Sequence, residues 1–147
     1  VKWPSTSADR KKTNGHRLVV GEVKFGDQAL SGPSGLHAHI ADVERYLAAP
    51  GNVNALKAEM VQIFNQKHQL GLIDCEKELG SFSEEHPLLL LLLVNHDPGS
   101  SRLHELIRSR PSCPHVELCI ASASLLGLGL FDALMLKPED ALKHSWM

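Results

Sequence analysis

The sequence predicts one α/β domain in which a mixed β-sheet is flanked by helices. Short apolar runs at 17–25, 88–94 and 116–123 have the length of strands and are bounded by turn residues. Between them lie segments of helical period, and the order strand, helices, strand, helix, strand favours parallel pairing through right-handed crossovers. A chain of 147 residues, 43% hydrophobic and 22% charged, has the size and composition of a single globular domain, 1–147, with its core over 8–123.

Taken in order, residues 1–12 are polar and give a poor strand signal before Ala8. Thr13-Asn14-Gly15-His16 spells a hairpin turn, which would return the Asp9 segment antiparallel beside the strand at 17–25. Residues 26–35 hold three glycines, a proline and two serines and read as a loop, in which Asp27 and Gln28 are ordinary turn residues before they are anything else. Leu36, Ile40, Val43 and Leu47 recur at helical spacing over 36–49, with Ser34 as cap and Pro50-Gly51 as stop. A second helix over 54–69 is expected to turn Leu56, Met60, Ile63, Phe64, His68 and Leu70 inward, with Asn54 as cap and Gly71 at its end.

Residues 74–86 form an acidic, polar connection that reads as mobile, whereas 88–94 is a continuous apolar run with the pattern of a strand covered on both faces. A turn at 96–100, a short helix at 101–110 with Leu103, Leu106 and Ile107 inward, and a second buried strand at 116–123 follow. Residues 125–136 are apolar and broken by glycine, and Pro138-Glu139-Asp140 suits a helical first turn.

The chemistry concentrates at Gly21-Glu22-Val23-Lys24-Phe25. Side chains alternate along a strand, so Glu22 and Lys24 project from one face while Gly21, Val23 and Phe25 point to the other. An isolated E-x-K triplet is common; this one ends an apolar strand, follows a turn signal and precedes a glycine-rich loop and a helix. Asp9, the turn and then Glu22-Val23-Lys24 resemble the PD-(D/E)XK nuclease superfamily, with its restriction-endonuclease-like fold. The resemblance implies that Asp9 and Glu22 hold Mg²⁺ or Mn²⁺, that the Val23 carbonyl adds an oxygen ligand, and that Lys24 positions or helps to deprotonate the attacking water. Hard divalent cations prefer oxygen donors, and a nearby ammonium offsets charge in the transition state. His37 and His39 fall near this site but are assigned to surface or helix packing. Relative to that family, the first helix and first strand of the core have no counterpart. Two alternatives follow: a chain without those elements, or a reduced fold whose sheet another chain completes; a homodimer is counted separately among the expected partners.

A net charge of −2 and a pI near 6.5 give no global basic field, although Lys2, Arg10, Lys11, Lys12, Arg17 and Lys24 cluster around the proposed site. The activity that the resemblance implies is hydrolysis of phosphodiester bonds, in DNA before RNA, with a non-catalytic interaction domain of the same fold as the alternative. The three cysteines, Cys75, Cys113 and Cys119, suit a reducing cytoplasm and lack zinc-site spacing. No secretory leader is visible at the start, and the seven residues of 88–94 fall far short of the roughly 20 that span a bilayer. No dinucleotide-binding, Walker A or nucleophile-elbow motif supports another α/β enzyme.

Overall fold

The computed structural model describes residues 6–94, 101–123 and 135–143. Its sheet consists of β1 (Val19–Phe25), β2 (Leu88–Val94) and β3 (Glu117–Ala123), in that spatial order and all parallel. In the register, Glu22 lies opposite Leu91 and Leu91 opposite Ile120. The connection from β1 to β2 contains α2 (Leu36–Ala48) and α3 (Asn52–Gln69), and that from β2 to β3 contains α4 (Arg102–Arg108). A short α5 (Pro138–Ala141) lies against β3.

β2 takes the centre because it can be buried on both faces. Leu89, Leu91 and Leu93 join Leu30, Leu36, Ile40, Leu47, Leu103 and Ile107 in the main core beneath α2 and α4, while Leu88 and Leu90 pack with Cys119 and Ala121 on the opposite face. Full burial of a leucine contributes about 1.5–3 kcal/mol, so this run is a large part of the driving force that orders the sheet. No helix among the described residues is long and apolar enough to cross a membrane.

The strands, α2, α4 and α5 follow the sequence reading closely; the segment around Asp9 does not. Asp9 sits on α1 (Ser7–Arg10), a single helical turn, instead of on a strand. The Asn14-Gly15 turn makes no hairpin. Residues 13–18 instead approach β1 alongside the segment that leads into β2: the Gly80 N–H donates to the Thr13 carbonyl, Ser83 N–H to His16, and Leu88 N–H to Leu18, with a parallel bridge between His16 and Phe82. The described sheet is therefore parallel throughout, with no antiparallel strand beside β1.

The same pairing orders 74–86, read from sequence as mobile. Leu79 and Phe82 are buried with Leu18, and Leu56, Met60, Val61 and Phe64 of α3 pack onto them. No residue of α3 is fully buried, and Leu70, expected inward, is largely exposed. The cap of α2 is Gly35 rather than Ser34, and that of α3 is Gly51 rather than Asn54. The expected end of α3 holds: Gly71, with φ of 70°, and Leu72 donate to the carbonyls of His68 and Lys67. The turn at 96–100 lies outside the described residues, as does all of 125–136 except Met135 and Leu136, the latter bridging antiparallel to Ile120.

Candidate functional site

Alternation along β1 brings Glu22 and Lys24 to one face, as the sequence requires, and that face is the one the helices cover. Lys24 is only 5% exposed, whereas Val23 and Phe25 on the other face are 59% and 61% exposed. The usual arrangement, apolar side in and charged side out, is reversed at the end of this strand.

A buried ammonium requires partners, and Lys24 has two. Its Nζ lies 2.8 Å from Glu22 Oε1 and donates to the Ser34 carbonyl. The second contact depends on the tight loop at 31–35. A Cβ on Gly35 would stand 2.6 Å from the Ser31 backbone, so only glycine lets the chain fold back there and present Ser34 above the lysine. The first turn of α2 adds His39, whose Nδ1 lies 2.9 Å from the same Oε1 of Glu22. Because a carboxylate accepts only, Nδ1 carries the proton in this contact. Both cation-capable groups thus share Oε1, and Oε2 has no hydrogen-bond partner among the described residues. His37 behaves as a packing residue, with Nε2 against the Leu106 carbonyl at 2.7 Å.

The backbone of Val23 is placed by the ladder. The Leu18 carbonyl accepts from Leu88 N–H and the Gly26 N–H donates to the Val94 carbonyl. Even-numbered residues of β1 therefore turn their backbone groups toward β2, and Val19, Gly21, Val23 and Phe25 turn theirs outward. The Val23 carbonyl lies at a sheet edge that is unpaired among the described residues.

The structure does not bring Asp9 into this group. Its carboxylate accepts from Thr6 Oγ1 and pairs with Lys12, while the Asp9 N–H donates to Thr6 Oγ1 at 3.1 Å. The hydrogen bond from Lys12 and then that from Thr6 hold the Asp9 carboxyl below the usual range. Thr6-Ser7-Ala8-Asp9 is a capping pattern, the sequence signal for a helix start that competes here with the strand expectation. Among the described residues, no group of three or more histidine, cysteine or acidic side chains could hold a metal ion.

The basic cluster is also largely neutralised. Lys11 pairs with Glu76, Lys12 with Asp9, and Arg17 with Glu117 and Glu85. Lys2 lies outside the described residues. The three cysteines are free thiols, and burial, followed by the Glu44 carboxylate, pushes the Cys113 thiol up, opposing the thiolate that zinc requires.

Comparison with family models, with curated proteins and with solved structures finds no match to this chain.

Proposed function

We propose that the chain is a divalent-metal-dependent phosphodiesterase of the PD-(D/E)XK type, acting on DNA before RNA, with its site reduced to Glu22, Val23 and Lys24. One observation carries this reading: the ion-paired Glu22 and Lys24 sit in the carboxyl-terminal half of a parallel strand, the end of an α/β sheet where ligands bind, beside an outward carbonyl. The donor set fits a hydrated hard cation. Glu22 Oε2 and the Val23 carbonyl are both oxygen donors, and Mg²⁺ keeps several waters while taking as few as one carboxylate from the protein. A cation held there would polarise a phosphodiester oxygen and acidify a water. Two of the three Lys24 N–H donors are used, leaving the third for a phosphoryl oxygen or the attacking water. His39 adds a second contact to the Glu22 carboxylate, at the same Oε1.

A different observation favours the second reading, a non-catalytic interaction domain. Lys24 is buried and already doubly paired, and Asp9, the second carboxylate of the motif, caps a separate helix.

The two readings separate in one experiment. Mn²⁺ in excess should raise the Tm of the wild-type chain by mass action, and Glu22→Gln should remove that gain. With single- and double-stranded DNA and RNA as substrates, Lys24→Met should lower turnover about 10²-fold, the size expected for a lost electrostatic contact in the transition state, with little change in affinity. An identical Mn²⁺ response in wild type and Glu22→Gln, or cleavage unchanged by Lys24→Met, rejects the nuclease reading. No cleavage and no Mn²⁺ response selects the interaction domain.

A further inference from the structure

We propose that two copies of this chain pair antiparallel through the outer edges of β1, joining their two sheets into one. The outward backbone groups of Val19, Gly21, Val23 and Phe25 are unpaired among the described residues, and beside them stand the largely exposed side chains of Val23 and Phe25. An edge in this state is a template for another strand.

The occupant follows from self-complementarity. A two-fold axis can relate β1 to its copy in only a few registers, because outward-facing residues must pair with outward-facing residues. An axis through Glu22 sets Glu22 against Glu22 of the second copy, one through Lys24 sets two lysines together, and one through Gly21 sets Glu22 against Val20. An axis through Val23 sets Glu22 against Lys24 of the second copy, and Lys24 against Glu22, on the covered face. On the exposed face it sets Val23 against Val23 and each Phe25 against the space at Gly21, where no atom of the described residues lies within 4 Å of a built Cβ. Opposite charges directly across a ladder stabilise it and like charges oppose it, so charge selects this register.

A charge on the covered face of an edge strand ordinarily discourages pairing. Here that charge is balanced within each chain by Glu22 at 2.8 Å and faces a carboxylate across the axis. Five residues on each side make a small interface, so association depends on concentration.

The test is the mass of the 147-residue chain in solution, followed from about 1 µM to about 1 mM, the span of moderate to weak affinity. Chelator is present throughout, because a cation on the Val23 carbonyl would compete for the same lone pairs. The wild-type chain should move from 16.1 kDa to twice that mass. Val23→Pro removes an N–H that points away from β2, a position where an edge strand tolerates proline, and should weaken association at least about tenfold with an unchanged circular dichroism spectrum. Hydrogen exchange of the wild-type chain gives a second reading that needs no variant. Amides of Gly21, Val23 and Phe25 should gain protection as concentration rises, whereas those of Glu22 and Lys24, bonded to β2 in either state, should not change. A monomer over the whole range overturns the proposal. So does a dimer that leaves the three outward amides unprotected, or one that a folded Val23→Pro chain forms equally well.

Discussion

Lys24 is a cation on the core side of β1, and its energetics separate two roles that share the same geometry. Its ammonium was taken out of water and is compensated by Glu22 and one carbonyl. Replacing both members of a buried ion pair by apolar residues of similar volume is often neutral, while removing one partner and leaving the other charge buried costs about 3–5 kcal/mol. Without Lys24, the Glu22 side chain is 23% exposed and keeps His39, whereas without Glu22 the Lys24 side chain is 6% exposed and keeps only a carbonyl. Chemical denaturation of the metal-free chain should therefore find Lys24→Met within about 1 kcal/mol of wild type and Glu22→Leu lower by about 3 kcal/mol. Equal losses in the two variants would show that Lys24 stabilises the fold, which is not expected of a residue kept for chemistry. The juxtaposition of Glu22 and Lys24 was legible because a period of two admits no other outcome. That their face is the covered one was not, since the pattern says which residues share a side and not which side meets the helices.

At the scale of elements, the decisive contact is the docking of 79–82 onto α3. The Asn65 side chain binds both backbone groups of Leu79, accepting from its N–H at 2.7 Å and donating to its carbonyl at 2.9 Å. This anchors the extended segment that pairs with residues 13–16 and so sets the entry to β1 and β2 together. Both contacts are part-buried, and loss of the two hydrogen bonds in Asn65→Ala should reduce stability by about 1–3 kcal/mol. Exchange at the amides of Leu79, Gly80 and Ser83 should quicken more than exchange within β2. Uniform acceleration across the chain would show that the segment does not open separately. The α2 stripe and the apolar run of β2 could be read from periodicity and length, because each is a property of one segment. The Asn65 clamp joins residues 14 positions apart through a side chain, and nothing local to either announces it.

For the whole molecule, the main core, between the sheet and the helices α2 and α4, is the largest of the described buried clusters. Leu91, fully buried at the middle of the central strand, should lose about 2–5 kcal/mol on substitution by alanine, in a cooperative transition. Leu70→Ser, at an exposed position, should stay within about 0.5 kcal/mol. Comparable losses would mean that α3 is packed differently along its last turn. The sequence by itself determined the order of strands and helices from β1 onward, the central place of the leucine run and the shared face of Glu22 and Lys24, because period, length and apolar content act within a segment. Only the tertiary structure decided that the Asp9 segment turns as a capped helix and enters parallel to the approach to β2, that His39 joins Glu22, and that the outer edge of β1 is left open among the described residues. These outcomes depend on which distant backbone groups satisfy one another, a competition among partners that local pattern does not encode.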